Sequence, residues 1–413
     1  MESRKMDLVV FYQSVIAPPK PWKVTRVECF GDALRVDVWL EHAPSMFRCP
    51  ECMAECPVHD HAPERVWRHL DTCEFQTYLH ARLPRVKCKE HGIVTACVPF
   101  VTPQTSVTMP MEKLCIKAMQ ECTLEGVEKL FSVTTRKLQR IQNLAVIRGL
   151  ERRGEETPLK MGLDEKQVFA RHKYFTVITD LKDRKVFDVV DKRKIEAITP
   201  WFEERSVNLL KTELVAMDMS AGYANIATKF MPFAEICFDK FHVIQVLNKA
   251  VDSTRKDEQK NMDEEQRKEM FKSRFCFLYG KENLNTKNRE KFAQASIVAK
   301  KTARAWAIKE SMRDLWDRTP PDFEAQFKHW YWWATHSRLQ HVAKAAKTLK
   351  RHLTGIVNAV LYGITNALTE GLNSKIEAIK RNACGFRNKQ NFRTAVLFHC
   401  GKLDMMPKPL TSH

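Results

Sequence analysis

Apolar and polar residues alternate along the first part of the chain, a period of two that is typical of half-buried strands. The pattern is clear over residues 20–45, where Val36, Val38 and Leu40 lie at every second position. Another strand-like stretch covers 77–83. We therefore expect a small β-rich domain over residues 1–103.

The period becomes helical between 111 and 150, with a short break at 131–133. Thr123 is suited to cap a helix that begins at Leu124, and Thr134 or Thr135 is suited to cap the next one. Two short helices joined by a tight turn predict a helix-turn-helix within 104–152. An ordinary helical hairpin with a solvated basic face fits the pattern equally well. Candidate DNA contacts on the second helix are Arg136, Lys137, Gln139 and Arg140.

Residues 153–242 show three strand-like runs, a helical stretch, a fourth apolar run, a second helix and a fifth run. This is the order of elements in a ribonuclease H-like core. One carboxylate stands in the first run, Asp164, and one at the end of the fourth, Asp218. The two runs are neighbours in such a core, so the carboxylates are expected to converge; the alternative is that each merely terminates a strand.

A third acidic group is expected on a later helix, within 365–381. Asn366, Glu370 and Asn373 are spaced i, i+4 and i+7 and share one polar stripe, whereas the apolar residues of this helix fall on another. Glu377 extends the polar stripe and is the rival carboxylate. Three converging carboxylates without cationic partners repel one another, and Mg²⁺ would relieve that repulsion with positions left for phosphate oxygens. Two such ions suit displacement at phosphorus.

Length and charge narrow the class of protein. The 413 residues suggest two or three domains, and 68 Lys and Arg against 50 Asp and Glu give a net charge of +18. A polyanionic partner is expected, with nucleic acid first. The 44% of hydrophobic residues exclude a disordered basic tail. No signal peptide or membrane-spanning segment is evident, so we expect a soluble, cytoplasmic protein.

Cysteine spacing indicates a metal site. Six of the 13 cysteines lie between Cys49 and Cys97, and an odd count argues against a disulfide framework. Two pairs with two residues between their members suit a tetrahedral, structural zinc in a zinc-ribbon arrangement. The expected ligands are Cys49, Cys52, Cys88 and His91. Competing ligands are Cys56, His59 and His61, and buried reduced cysteines are the alternative to a metal.

Several of these segments together resemble one known family. The segments are Gly162-Leu-Asp-Glu165, Met217-Asp-Met-Ser220, Phe238-Asp-Lys-Phe-His242 and Thr365-Asn-Ala-Leu-Thr-Glu-Gly-Leu-Asn-Ser-Lys375. With Cys49-x-x-Cys52, the chain is similar over nearly its whole length to bacterial insertion-sequence transposases of the DDE group. Within that group, the chain resembles the transposases that have an N-terminal zinc-binding domain, a helix-turn-helix and a helical insertion before the catalytic Glu.

The resemblance implies a catalytic triad of Asp164, Asp218 and Glu370. It assigns supporting roles to four further residues, Asn366, Asn373, Asp239 and His242, and Lys375 is a further candidate DNA contact. For Asp239 and His242, a packing and capping role is the competing interpretation. His91 departs from the family pattern, where a cysteine is expected.

The architecture implied is α/β plus α. A ribonuclease H-like core begins over 153–242, a helical insertion covers 243–351, and the C-terminal helices with the triad Glu cover 352–413. The insertion is far longer than a strand-to-helix connection needs. Its tryptophans, Trp306, Trp316 and those of the run 330–333, are expected to form a core; in the alternative, one of them stacks on an unpaired base. A DNA-facing surface is expected to include Lys344, Lys347, Lys350 and Arg351; the alternative is an ordinary solvated helix face.

The function implied is DNA transposition. The zinc and helix-turn-helix modules would bind terminal inverted repeats, and the triad with two Mg²⁺ or Mn²⁺ ions would catalyse end cleavage and strand transfer. Double-stranded DNA is the expected partner, bound by a homo-oligomer associated with the nucleoid. Two alternatives remain at this point: a non-catalytic zinc and helix-turn-helix regulator, and a related structure-specific nuclease.

Overall fold

The computed structural model describes residues 7–43, 45–169, 173–191, 194–364, 366–383, 385–386 and 388–408, with side chains for all of these except 168, 169, 173 and 366–370. The chain divides into two compact units. The first holds the described residues up to Gly154 and from Leu403 onward, and the second runs from Glu155 to Lys402.

The first unit begins as a β-rich structure. Its elements before the helical region are α1 (Leu8–Ile16), β1 (Trp22–Phe30), β2 (Arg35–His42), β3 (Met46–Arg48), β4 (Glu55–His61), β5 (Arg65–Arg68), β6 (Gln76–Ala81), β7 (Pro84–Cys88) and β8 (Gly92–Thr95). They form two four-stranded sheets, ordered β1-β2-β6-β5 and β3-β4-β7-β8. The strand alternation buries Trp22, Val38, Trp67 and Leu79 in one core beneath the first sheet.

Three helices follow in the same unit: α2 (Met109–Glu121), α3 (Leu124–Phe131) and α4 (Thr135–Arg153). The Thr123 hydroxyl accepts a hydrogen bond of 3.2 Å from the Gly126 N–H and so caps α3. Ser132 ends α3 in a left-handed conformation with φ 54°, and Thr134 is the N-cap of α4. The predicted tight turn between two helices is therefore present. Val127 of α3 and Leu138 of α4 are buried on either side of it.

The end of the chain returns to this unit and packs on α4. Arg148 Nη1 donates to the Met405 carbonyl at 2.7 Å, and Arg152 Nη1 donates to the Asp404 and Met406 carbonyls at 2.9 and 2.8 Å. A Cβ on Gly149 would lie 2.6 Å from Leu403 Cβ, so glycine is what permits this approach. Residues far apart in sequence thus complete one fold.

The second unit is built on a five-stranded sheet. Its strands and the helices among them are β9 (Lys160–Phe169), β10 (Lys173–Asp180), β11 (Lys185–Asp191), α5 (Ile195–Glu204), α6 (Ser206–Leu209), β12 (Leu214–Met217), α7 (Ala221–Phe230) and β13 (Glu235–Phe238). The strand order is β11-β10-β9-β12-β13. The first three strands pair antiparallel, whereas β12 runs parallel to both β9 and β13. Every residue of β12 is buried, as expected of a central strand covered on both faces.

Helices make up most of the remainder. They are α8 (Lys240–Gln259), α9 (Glu264–Lys272), α10 (Arg274–Leu278), a 3₁₀ turn (Lys281–Asn283), α11 (Thr286–Val298), α12 (Lys300–Leu315), α13 (Pro320–His336), α14 (Gln340–Arg351), α15 (Leu353–Leu361), α16 (Asn366–Asn382) and α17 (Lys389–Cys400). The chain is thus a mixed α/β protein with a β-rich N-terminal region and a helical C-terminal region. No helix in the described ranges is long and apolar enough to cross a membrane.

The tryptophans of the long helical region divide between core and surface. Trp330 is buried and donates from Nε1 to the Ile308 carbonyl at 2.8 Å, and Trp306 and Trp316 pack at the edge of the same core. The expectation of a core role is wrong for Trp332 and Trp333, which are 64% and 37% exposed. The Trp332 ring stacks on His336 with centroids 4.7 Å apart. The reason is geometric: adjacent positions of a helix cannot all face one side.

Candidate functional site

The first two predicted acidic residues belong to neighbouring strands of the second unit's sheet, Asp164 within β9 and Asp218 directly after β12. Gly162 of β9 is directly opposite Ala216 of the parallel strand β12. Asp164 lies two residues further along β9, and Asp218 lies two residues after Ala216, just past the end of β12. The alternation of strand side chains predicts that both extend from the same face. Burial raises the pKa of Tyr223 on α7, and the negative charges of Asp218 and Asp164 add to that rise. Both carboxylates therefore lie near this phenol.

Each of these carboxylates is held by its surroundings. Asp218 Oδ1 accepts a hydrogen bond of 3.0 Å from the Ser220 N–H, in the turn that leads into α7. Asp164 Oδ2 accepts a hydrogen bond of 3.0 Å from Asn373 Nδ2 on α16 and lies 3.5 Å from Lys166 Nζ. The expectation that the carboxylates lack a cationic partner is therefore wrong for Asp164. Sequence reasoning missed Lys166 because no motif marked it, although residues i and i+2 of a strand share a face and this spacing could have indicated the contact.

Helix α16 lies along β9. Besides the Asn373 contact, Lys380 Nζ donates to the Gln167 carbonyl at 3.2 Å, and Leu372 and Ile376 are buried. Asn366 and Glu370 belong to this helix, but their side chains lie outside the described residues. Glu370 stands three residues before Asn373, on the same helical face. The rival Glu377 pairs with Lys380 at 3.4 Å.

Close backbone packing accounts for the glycine of the Gly-Leu-Asp segment. A Cβ on Gly162 would lie 2.3 Å from Thr179 Oγ1 on the neighbouring strand β10. The Thr179 hydroxyl donates to the Gly162 carbonyl at 3.3 Å. A larger residue at this position would have to displace the Thr179 and Leu181 side chains beside the strand that bears Asp164.

Asp239 and His242 lie at the start of α8. Asp239 Oδ1 accepts a hydrogen bond of 2.8 Å from the Phe241 N–H, so it caps the helix. Its other oxygen lies 4.0 Å from His242 Nδ1. Capping of α8 is therefore a sufficient structural role for Asp239. A supporting role of Asp239 or His242 in the chemistry stays a prediction.

The four expected zinc ligands come together in the first unit. The ligand atoms of Cys49, Cys52, Cys88 and His91 all lie within 4.8 Å of one another. Cys52 and Cys88 Sγ are 3.6 Å apart, and His91 Nδ1 is 3.7 Å from Cys49 Sγ and 3.6 Å from Cys88 Sγ. A zinc ion with bonds of about 2.3 Å to sulfur in a tetrahedron has S···S edges of about 3.8 Å. The cluster therefore fits zinc in size and in donor type.

The electrostatics of the cluster favour a thiolate. Hydrogen bonds from the His91 backbone N–H and imidazole lower the pKa of Cys88 to about 6. The same thiolate raises the pKa of His91. Among the competing residues, Cys56 donates to the Ala54 carbonyl at 3.4 Å and His61 Nε2 lies 3.2 Å from His42 Nε2. Neither they nor His59 join a metal-sized cluster in the described ranges.

The predicted DNA contacts on α4 differ in their availability. Arg136 and Lys137 are exposed. Gln139 Nε2 donates to Gln142 Oε1 at 3.0 Å on its own helix, and Arg140 Nε donates to the Gln104 carbonyl at 2.6 Å. Arg140 is thus already committed to a neighbouring loop that the local sequence gave no reason to place beside it. Lys375 is exposed on α16.

A thiolate and imidazole cluster, two helices joined by a tight turn and acidic residues on neighbouring strands occur together in one basic chain, a combination typical of proteins that act on DNA. The comparisons with known proteins identify the family. Residues 161–396, more than half of the chain, match the profile of the ISL3-type DDE transposases, and the chain belongs to this family. Residues 45–91 match the zinc finger of the IS204, IS1001, IS1096 and IS1165 transposases. The resemblance inferred from sequence is confirmed.

Two named relatives align with most of the chain. The transposase for insertion sequence element IS1001 of Bordetella parapertussis is 25% identical over 378 residues, which are 89% of this chain and 93% of that protein. The transposase for IS1557 of Mycobacterium tuberculosis is 24% identical over 401 residues, 87% of each chain. The function of the protein is therefore DNA transposition, which implies cleavage and strand transfer with DNA as the partner.

Proposed function

We propose that Asp164, Asp218 and Glu370 are the catalytic triad with which this transposase cleaves the ends of an insertion sequence and joins them to target DNA. Two observations support the proposal: Asp164 and Asp218 follow paired positions of adjacent parallel strands, and helix α16 contacts Asp164. Strand alternation predicts that the two carboxylates extend from the same face. Asn373, one turn from Glu370, donates to Asp164 at 3.0 Å. The helix that bears Glu370 is thereby tied to the first carboxylate.

The donor set suits magnesium. Carboxylate oxygens are the ligands that this ion prefers, and Asp164 Oδ1 and Asp218 Oδ2 accept no hydrogen bond within the described part of the chain. Two Mg²⁺ ions, or Mn²⁺, held by the triad would supply activation of the attacking oxygen and stabilisation of the leaving oxygen. Cleavage by water leaves a 3′-hydroxyl, which then attacks a phosphodiester of the target.

The residues around these carboxylates position the triad. Asn373 fixes the Asp164 carboxylate through Oδ2, the Ser220 N–H fixes Asp218 through Oδ1, and Gly162 lets β9 pack against β10. Lys166, 3.5 Å from Asp164, lowers the repulsion between the carboxylates before metal binds.

The sheet supports a ribonuclease H-like core. Its order β11-β10-β9-β12-β13, with three antiparallel strands followed by two parallel ones, is the order we expect of that fold. In this proposal the core comprises 153–242 and the helices of 352–413, with 243–351 as the helical insertion. Residues 1–103 and 104–152 are the zinc-binding and helix-turn-helix domains.

Cys49, Cys52, Cys88 and His91 hold a structural zinc in this proposal, because four protein ligands leave no open position for chemistry. The zinc domain and α4 recognise the terminal inverted repeats, with Arg136 and Lys137 on phosphates or base edges. Two ends must be held together for transposition, so the active form is a homo-oligomer on DNA in the nucleoid.

The test is Mg²⁺-dependent cleavage of a duplex that carries the inverted repeat from the flanks of the gene. Asp164→Asn and Glu370→Gln are expected to lower cleavage at least about 10³-fold, because each removes a charged metal ligand, while binding of the duplex stays within about twofold. Glu377→Gln is the matched control on α16 and is expected to keep cleavage. If Asp164→Asn still cuts, or if Glu377→Gln and not Glu370→Gln loses activity, the triad as assigned is wrong.

A further inference from the structure

A cavity of about 330 Å³ opens in the first unit beside the start of α4. It is formed by three segments that are far apart in sequence: strand β5, the loop before α2 and the first two turns of α4. Its polar and charged lining residues are Arg65, Gln104, Thr105, Ser106, Lys137 and Arg140, and we call it the basic pocket.

The basic pocket carries three cations and no carboxylate. Within the part of the chain that the structure describes, Arg65, Lys137 and Arg140 form no ion pair. Other arginines of this unit are paired: Arg35 with Asp37, Arg85 with Asp60, and Arg148 with Glu112. Three like charges around one concave surface repel one another, and an anion in the pocket would relieve that repulsion.

One wall of the pocket is held in place before any ligand binds. Arg140 donates from Nε to the Gln104 carbonyl at 2.6 Å and from Nη2 to Gln104 Oε1 at 3.2 Å. A guanidinium has five N–H donors, so three remain for a ligand. Gln104 has φ 67°, a left-handed conformation that costs energy for a residue with a Cβ.

The loop itself is braced from inside. The Thr105 hydroxyl lies 2.8 Å from the Thr102 carbonyl and 3.1 Å from the Val107 carbonyl, so this buried side chain closes the loop on itself. The loop therefore presents Gln104 and Arg140 to the pocket in one arrangement, as a preorganised site requires.

The position of the basic pocket indicates the kind of anion. Lys137 is in the first turn of α4, the second helix of the helix-turn-helix, and Arg136 beside it is exposed. In such motifs, contacts to phosphate fix the register of this helix on the duplex. The amino-terminal end of a helix adds positive potential. We propose that the basic pocket binds one backbone phosphate of the bound duplex and so couples the β-rich domain to α4. This inference rests on the proposed recognition of transposon ends.

The sharpest test replaces phosphates and leaves the protein intact. End duplexes that carry a single uncharged methylphosphonate at successive positions are titrated with the full-length protein by fluorescence anisotropy. One position near the contact of α4 is expected to weaken binding about tenfold, since hydrogen bonds from cations to an anion are worth about 1.5 kcal/mol or more.

The variant Arg65→Gln/Lys137→Gln then identifies the pocket. It is expected to weaken binding of the unmodified duplex by about tenfold or more and to lower the salt slope by about one. On the duplex modified at the sensitive position, it is expected to bind as weakly as the wild type. Lys23→Gln, an exposed lysine on β1 of the same unit, is the matched control and should leave binding unchanged. Arg140 stays intact because its loss would release the loop.

The outcomes separate the two proposals. In one outcome, the losses in affinity from the double variant and from the methylphosphonate simply add at every position, while the wild type binds the end duplex normally. That result would overturn the pocket and leave end recognition intact. A wild type that binds the end duplex no better than an unrelated one would overturn end recognition and the pocket with it. Zinc content and melting temperature, unchanged from the wild type, show that the variant is folded.

Discussion

At the scale of single residues, His69 shows how burial turns a side chain into a source of pH dependence. The ring is partly buried in the first unit, and Nδ1 is 2.7 Å from Thr108 Oγ1, just before α2. Burial lowers the pKa of His69 from 6.5 to about 4, and the positive charge of Arg68 adds to the fall. The folded protein therefore holds this ring neutral at pH values where the unfolded chain protonates it.

We expect this residue to make the first unit less stable in acid. Between pH 6.5 and about 4 unfolding takes up a proton, so the free energy of unfolding falls as the pH is lowered through that window. The largest loss is roughly 3 kcal/mol. Protection factors for the α2 amides, measured by hydrogen exchange in the wild type and in His69→Asn, should fall more in the wild type as the pH is lowered from 6.5 to 4. A difference between the two proteins that does not change with pH would contradict this.

The control is the difference in protection between the wild type and His69→Asn at each pH. Zinc release in acid affects both proteins, so it cancels in the comparison, and Asn retains a hydrogen-bonding group close to Nδ1 for Thr108. Below about pH 4 the His69 contribution is fully lost, and the two curves should run parallel.

At the scale of elements, the sheet β3-β4-β7-β8 depends on its metal cluster. Its buried apolar residues are few, and Cys49, Cys56 and Cys88 belong to the same small core. Such a sheet is expected to need the metal for its stability, as small zinc domains generally do.

We expect Cys88→Ser to lose the single zinc per chain and the hydrogen-exchange protection of β3, β4, β7 and β8, while β9–β13 keep theirs. Cys56→Ala should retain the zinc, because Cys56 hydrogen-bonds to the Ala54 carbonyl and stands outside the cluster. Zinc is quantified by mass spectrometry of the purified protein. Stoichiometric zinc in Cys88→Ser, or its loss in Cys56→Ala, would assign the ligands differently.

A buried ion pair joins α2, α4 and the end of the chain. Glu112 is fully buried and accepts a hydrogen bond of 2.6 Å from Arg148 Nη2, while Arg148 Nη1 donates to the Met405 carbonyl. We expect Arg148→Met to destabilise the first unit by about 3–5 kcal/mol, since it leaves a buried carboxylate without its partner.

The double variant Arg148→Met/Glu112→Gln is expected to recover part of this loss. Arg85→Met, which breaks an exposed pair with Asp60, should have little effect. Hydrogen exchange of the α4 amides in the full chain measures all three. A small effect of Arg148→Met would show that water or another group replaces the arginine.

These elements show what sequence could and could not predict. Caps and periodicity placed α3 and α4, because the Thr123 cap and the apolar spacing are local. The spacing of cysteines predicted which four ligand side chains meet. The return of residues 403–408 to α4 and the Arg140–Gln104 contact have no local signal. Each depends on tertiary packing, which brings together residues whose own neighbours in sequence do not mark them.

At the scale of the whole molecule, charge divides into a paired and an unpaired part. The net charge is +18, yet many cations are already neutralised within the fold, such as Arg148 and Arg274 by Glu112 and Asp252. The excess lies on exposed side chains, including Arg136, Lys137 and Lys375. A polyanion binding there releases its condensed counterions, which makes affinity depend on salt.

We expect the affinity for duplex DNA to fall about 10³-fold between 50 and 200 mM salt, the value for about six phosphate contacts. The end duplex and an unrelated duplex of equal length should lose affinity with similar slopes, because phosphate contacts carry no sequence information. The ratio of the two affinities, which reflects base contacts of α4, should change far less. Anisotropy titrations over a salt series measure both. A slope near zero for either duplex would mean that the unpaired cations do not contact phosphate, and that affinity arises elsewhere on the molecule.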